Sequence, residues 1–244
     1  MTILKTKRQN SNIFVLKRKV KEAERVLTLK FLAAKGKIFS FEPGQFVLVS
    51  FLDNRANGKI RAYSISSCPQ DKFLAITVKK IGVFSSALHN LKIGEKIKVS
   101  PPKGDFYPDE SMKDMIFLAA GIGIVPFHGI IKDWNYRGLF KKRKITLFYC
   151  NRTKKETAFF RNLNKISEQE SNFKIIYFLT REKLRDKKIG EFCRPDIKIL
   201  KKYLKNLKGK YYFICGPVGF VNDFWKALKK GGIKESFIKT EAFY

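Results

Sequence analysis

The chain is poor in several things that would have narrowed its chemistry. It has two histidines, His89 and His128, too few for a typical metal cage and giving no sign of a nucleophilic triad. Its four cysteines, Cys68, Cys150, Cys193 and Cys215, are far apart and contain no C-x-x-C pair. That spacing argues against a zinc or iron–sulfur site and against a disulfide framework, so no metal is expected. No apolar run reaches the ~18 residues that span a bilayer. The basic start, Met1-Thr2-Ile3-Leu4-Lys5, leads into no apolar block of the signal-peptide kind. The expectation is a cytoplasmic protein without integral membrane contact. Acidic residues are also scarce: 21 Asp and Glu against 51 Lys and Arg give a net charge of +30. Such a charge suits a polyanionic partner. The positive residues run the whole length of the chain rather than forming one tail, which favours a general lysine bias with some charge left for docking.

What is present is a globular chain. With 244 residues and 44% hydrophobic content, it can bury two cores of ordinary size. The first part reads as short aromatic and β-branched strands: Ile13–Val20, Arg25–Leu32, Phe46–Phe51, Arg61–Ser66, Phe73–Val78 and Glu95–Val99. Turn signals such as Pro43-Gly44 and Ile93-Gly94 separate them, and the spacing predicts a small antiparallel barrel. One short helix interrupts it, Ser86–Leu91, with Ser85 as its N-cap. The run Pro101–Pro108 breaks the pattern, so the boundary is placed there: 1–108 and 109–244.

The second part alternates apolar runs with helical stretches. Met115–Ala120, Ile145–Cys150, Phe173–Leu179 and Tyr211–Cys215 read as buried strands, and Ser236–Phe243 closes the chain. Helices are expected up to about Gly138, around Thr157–Ile166, near Ile197–Leu207, and from Gly216-Pro217 to about Lys230. This is the rhythm of a doubly wound α/β domain with a five-stranded parallel sheet. Ligands in such sheets bind at the carboxyl ends of the strands.

Several short motifs carry chemistry. Arg61-Ala62-Tyr63-Ser64 sets a guanidinium, a phenol and a hydroxyl along roughly 10 Å of strand, suited to a flat, phosphate-bearing cofactor and equally to a half-exposed strand. Gly82 and Ser85 precede a helix whose free N–H groups suit an anion. Gly121-x-Gly123 joins a buried strand to a helix, where bare backbone can approach a pyrophosphate; Pro126 replaces the last glycine of the full G-x-G-x-x-G pattern. Cys215-Gly216-Pro217 repeats the arrangement at another strand end. Thr180-Arg181 follows the third strand and suits an extra phosphate.

Taken in order, these motifs and a terminal Glu-x-aromatic resemble the ferredoxin–NADP reductase family over nearly the whole chain. The resemblance implies an FAD-binding β-barrel joined to an NADP(H)-binding α/β domain. It implies that Arg61 binds the FAD pyrophosphate, with Gly82 and Ser85 as a second contact. Tyr63 would stack on the isoalloxazine, and Ser64 would stand beside its reactive nitrogen. Gly121, Gly123, Pro126, Gly216 and Pro217 would hold the nicotinamide nucleotide, and Thr180 and Arg181 would select its 2′-phosphate. Ser64, Cys215 and Glu241 would steer hydride transfer, and Phe243 or Tyr244 would cover the flavin. The implied partner is an acidic electron carrier, ferredoxin or flavodoxin. Two features depart from the family pattern: Val125 stands where threonine is usual, and Phe127-His128-Gly129 lacks the usual small hydroxyl residue. A free-flavin reductase, the reductase component of an oxygenase and, from another class, a basic nucleic-acid-binding protein are the competing readings. The Phe residues fall inside strand and helix patterns, which speaks for core and against a nucleic-acid surface.

Overall fold

The computed structural model describes residues 12–183, 186 and 190–243. The N-terminal half is built from β1 (Asn12–Ala23), β2 (Val26–Ala33), β3 (Phe46–Phe51), β4 (Arg61–Ser64), β5 (Leu74–Lys79), helix α1 (Val83–Asn90) and β6 (Lys96–Val99). These strands form one antiparallel sheet in the order β4-β3-β6-β1-β2-β5. A bridge between Ile65 and Ile76 brings its two edges together, so the sheet closes as a barrel. Alternation decides the inside. Phe14, Leu16, Leu29, Phe31, Val47, Val49, Ile76, Val78, Ile97 and Val99 point inward and are almost wholly buried, while the residues between them face out. At roughly 25 cal/mol per Å² of apolar surface, each such side chain contributes about 1.5–3 kcal/mol.

The C-terminal half contains β7 (Asp114–Ala120), α2 (Ile124–Tyr136), β8 (Lys144–Asn151), α3 (Phe160–Gln169), β9 (Phe173–Leu179), α4 (Ile197–Tyr203), β10 (Tyr211–Pro217), α5 (Val218–Lys230) and β11 (Ile238–Phe243). The strands are parallel in the order β11-β10-β7-β8-β9. Apolar clusters cover both faces, which is why β7, β8 and β10 read as unbroken apolar runs.

One expectation at an element end needs correction. Helix α1 begins at Val83 with Gly82 at its N-cap, so Ser85 is its third helical residue. The Ser85 hydroxyl accepts from the N–H groups of Ile81 and Gly82 at 2.9 and 3.0 Å, closing the turn from inside the helix. Gly216 and Pro217 lead into α5, with Pro217 at its N-cap. They continue β10, paired with Ala242 and Phe243 of β11, and the helix starts at Val218. Pairing with β7 stops at Cys215, so the missing Pro217 N–H takes nothing from the central ladder.

The halves meet along a mixed seam. Ala23, Val26 and Phe106 pack into the same apolar cluster as Met115, Phe117 and Phe127. Glu24 N–H donates to the Lys155 carbonyl at 2.9 Å, and Lys79 pairs with Glu156. His128, on α2, bridges the Ser66 carbonyl and the Asn162 side chain at 3.1 and 3.0 Å and stacks on Phe159. Burial pushes its pKa down to about 4, so it is a neutral clamp at pH 7. Gly129 lets α2 approach, since a Cβ there would lie 3.1 Å from the Ile65 carbonyl oxygen. Among the described residues no helix is long and apolar enough to cross a membrane.

Candidate flavin and nicotinamide site

Between the barrel and the parallel sheet lies a cavity of about 440 Å³. Its barrel wall comes from β4, β5 and the start of α1. Its other wall comes from Ile122 and Val125 at the head of α2 and from Phe243. Arg61, Tyr63, Ser64, Gly82 and Ser85 all line it, so residues separated by over twenty positions converge as the motifs imply.

The two ends of the cavity differ chemically. At one end α1 presents its first-turn N–H groups, with no side chain capping them. A Cβ on Gly82 would meet nothing within 4 Å, so the approach is open. Among the described residues, the exposed Arg61 guanidinium bonds only the neighbouring Ile60 carbonyl, at 2.9 Å. Free N–H groups at a helix start together with an uncommitted arginine suit a diphosphate. In the middle, Tyr63 stacks on Phe84 with ring centroids 6.1 Å apart. Burial raises its phenol to about 12, so it is a neutral, flat wall. At the other end the Ser64 hydroxyl faces the Glu241 carboxylate at 3.5 Å. Burial pushes the Glu241 carboxyl up to about 7; the Ser64 hydrogen bond opposes this and the Asp105 carboxylate adds to it. This sequence of anion end, flat wall and proton-exchanging pair fits FAD.

Cys215 sits directly opposite Glu241 in the β10–β11 register. It is wholly buried, and burial, with the nearby Glu241 charge, holds its thiol well above the ordinary range. It is therefore a neutral, compact side chain rather than a thiolate nucleophile. Gly123 explains the tight junction here. A Cβ at that position would stand 2.2 Å from the Cys215 carbonyl oxygen. Gly121 takes φ +55°, and the Tyr149 hydroxyl donates to its carbonyl at 3.2 Å. Pro126 lies buried in the first turn of α2. Gly121, Gly123 and Pro126 thus form one turn at the carboxyl end of β7, beside Gly216 and Pro217 at the end of β10.

Thr180 and Arg181 lie further along the same sheet edge, exposed and just past β9. Thr180 N–H donates to the Asn151 carbonyl at 3.0 Å and Arg181 N–H to that of Arg152 at 2.7 Å. Phe243 lines the cavity, whereas Tyr244 lies outside the described residues. Among the described residues no group of three or more His, Cys, Asp or Glu is placed to hold a metal.

Sequence reasoning missed Lys59, Thr77 and Lys79, which also line the cavity. Thr77 and Lys79 were visible only as outward positions of an alternating strand. Tyr149, which holds the glycine turn, was hidden inside an apolar run.

Residues 13–107 match the oxidoreductase FAD-binding domain family, and residues 117–226 match the oxidoreductase NAD-binding domain family. Among characterised proteins, flavohemoprotein A of Dictyostelium discoideum is 29% identical over 94% of this chain and 59% of its own length. One component of the Na(+)-translocating NADH-quinone reductase of Methylococcus capsulatus is 30% identical over 65% of this chain and 42% of its own. The chain thus spans about three fifths of the flavohemoproteins it matches. Among solved structures, a ferredoxin NADP+ reductase from Neisseria gonorrhoeae superposes with a TM-score of 0.81 at 20% identity, covering 97% of this chain and 100% of that one. The FAD/NAD-binding domain of a Vibrio cholerae nitric oxide dioxygenase gives 0.82 at 22% identity, covering 95% and 98%. A barrel and a doubly wound sheet that match these two domain families define an FAD- and NAD-binding oxidoreductase. The chain carries both of these oxidoreductase domains, and its two-domain fold is the one seen in the ferredoxin NADP+ reductase.

Proposed function

We propose that the chain passes electrons between NADPH and a one-electron carrier protein, ferredoxin or flavodoxin, with residues 1–108 holding FAD and 109–244 holding the nucleotide. The observation that carries this reading is the Ser64–Glu241 pair, which joins β4 of the barrel to β11 of the parallel sheet at 3.5 Å. A hydride donor seated on the Gly121–Gly123 turn and a flavin seated on β4 meet at that junction.

Bound FAD would supply the chemistry that accepts a hydride and releases electrons one at a time. The chain's residues do the rest. Arg61 and the N–H groups at the start of α1 neutralise the diphosphate. Tyr63 sets the plane of the ring, and Ile122, Val125 and Phe243 keep water from the other wall. Placing the two rings in contact removes the cost of bringing reactants together, which is the main rate contribution expected of such a site. Ser64 Oγ and Glu241 Oε2 exchange a proton beside the junction, and a carboxyl with a pKa near 7 does so with little driving force lost in either direction. Neutral Cys215 fills the space below without competing for the hydride.

Thr180 and Arg181 support NADPH over NADH, since a guanidinium matches a phosphate. The surplus of lysine and arginine supports an acidic carrier. The likeness to flavohemoproteins over 94% of the chain favours a second reading, in which the same module delivers electrons to a haem protein. Steady-state reduction of ferredoxin, flavodoxin, a haem protein and free flavin by NADPH tests the choice. Reduction of free flavin alone would overturn the carrier reading.

A further inference from the structure

Thr28 on β2 and Thr77 on β5 stand directly opposite each other. Their hydroxyls hydrogen-bond at 2.8 Å in a buried setting. The two residues line different spaces. Thr77 lines the cavity fitted above to FAD. Thr28 lines a second cavity of about 210 Å³ at the seam between the barrel and α2. Glu22 lines that second cavity too, and also a neighbouring cleft of about 660 Å³ beside Lys21 and Lys154. Glu22 sits in the register shift near the end of β1 and is itself partly exposed, so it touches solvent.

Shape alone does not ask for these hydroxyls. Valine has the same outline and a higher preference for strands. Exchanging both members of a buried hydrogen-bonded pair for apolar groups of the same shape is close to neutral. A buried Thr–Thr pair whose ends border two different cavities has one property that a valine pair lacks: each hydroxyl can both accept and donate a hydrogen.

We propose that Glu22, Thr28 and Thr77 form a proton path from solvent in the interdomain cleft to the flavin cavity, ending at Thr77 Oγ1 and separate from the Ser64–Glu241 pair. The path rests on the FAD reading of that cavity. In one passage the Glu22 carboxyl gives its proton to Thr28 Oγ1. The hydrogen already on Thr28 moves to Thr77 Oγ1, and the hydrogen already on Thr77 leaves into the flavin cavity for a basic atom of the reduced cofactor. Both threonines end as neutral hydroxyls, and Glu22 regains its proton from water. Burial raises the Glu22 carboxyl, and hydrogen bonding from Thr28 with the Lys30 charge opposes the rise. The charged and titratable groups around it are Lys21 and Glu24 from the end of β1 and its turn, Lys30 from β2, Lys154 and Lys155 between β8 and α3, Arg161 from the first turn of α3, and His128 and Lys132 from α2.

The test uses two readouts. In FAD-loaded protein reduced by a light pulse, with oxalate as the sacrificial electron donor and a deazaflavin as sensitiser, a pH-indicator dye follows proton uptake without any nucleotide. Thr77→Val and Thr28→Val should slow uptake roughly tenfold or more, while Thr77→Ser and Thr28→Ser, which keep the hydroxyl, should retain the wild-type rate. In flavin-free protein, carbon NMR of labelled glutamate follows the Glu22 titration. Thr28→Val should move its midpoint up, because a hydrogen bond to the charged form is lost. Uptake within twofold of wild type in both valine variants would overturn the path, as would a Glu22 midpoint that Thr28→Val leaves unmoved. Failure of the chain to take up FAD would instead strike the cofactor reading, and the NMR arm would still decide the Glu22–Thr28 link.

Discussion

Replacing Gly123 with alanine puts a Cβ 2.2 Å from the Cys215 carbonyl oxygen, 2.5 Å from its carbon and 2.8 Å from Gly216 Cα. All three neighbours are backbone, so no side chain can swing aside. Relief requires the head of α2 and the end of β10 to part by roughly 1 Å, because carbon–oxygen contacts close at about 3.0–3.5 Å. Overpacking of this kind costs about 1–3 kcal/mol and occasionally more, and a backbone-to-backbone clash belongs at the upper end. For a chain of this size about 3 kcal/mol lowers Tm by roughly 6–12 °C. Gly121→Ala is the internal control. Nothing lies within 4 Å of a Cβ there, but its φ of +55° is left-handed and costs about 1–2 kcal/mol for alanine. Thermal melting of both variants, followed by a nucleotide titration, gives the comparison. Gly123→Ala should be the less stable and should lose at least tenfold in nucleotide affinity. A Gly123→Ala protein as stable as Gly121→Ala would refute the claim that the site depends on this close approach.

Three further outcomes are expected. Arg61→Ala should weaken FAD binding by about 1.5–3 kcal/mol, the range for a charge-assisted hydrogen bond, read by flavin fluorescence during titration of the apoprotein. Arg181→Ala should raise the KM for NADPH far more than that for NADH; equal effects would mean that Arg181 does not read the 2′-phosphate. Glu241 carries a pH signature. Its carboxyl is raised from 4.5 to about 7 in the folded chain, so the folded state holds a proton that the unfolded state has shed between those values. Its contribution to the stability of flavin-free protein is therefore complete below pH 4.5 and is lost as pH rises through 7, by roughly 2–3 kcal/mol. Denaturant unfolding of Glu241→Gln should lack that slope.

Much of the architecture was legible because local chemistry agreed with the global fold. Inward and outward alternation marked the barrel strands, and the unbroken apolar runs of β7, β8 and β10 followed from burial on both faces. The motif residues Arg61, Tyr63, Ser64 and Gly121 to Gly123 stand out in the sequence because their spacing along the chain is short. Element ends were read less well. Ser85 looks like an N-cap by residue type, yet Gly82 takes that place because the serine serves the turn from its third position. Pro217 looks like a helix start and is the N-cap of α5, but it also ends a strand whose ladder to β7 has already stopped, which its residue type does not announce. The Thr28–Thr77 pair and the Tyr149 bond to Gly121 join residues 49 and 28 positions apart. No local pattern encodes such pairings; they follow from strand register and from how the two halves meet.

The central claim is that the barrel holds a flavin which a nicotinamide nucleotide reduces across the Ser64–Glu241 junction. Anaerobic titration of the FAD-loaded protein with NADPH, followed by visible absorbance, tests it most directly. The account predicts a yellow protein whose flavin band bleaches at one equivalent of NADPH. A colourless protein that refuses added FAD, or a bound flavin that NADPH and NADH both leave oxidised, would contradict it.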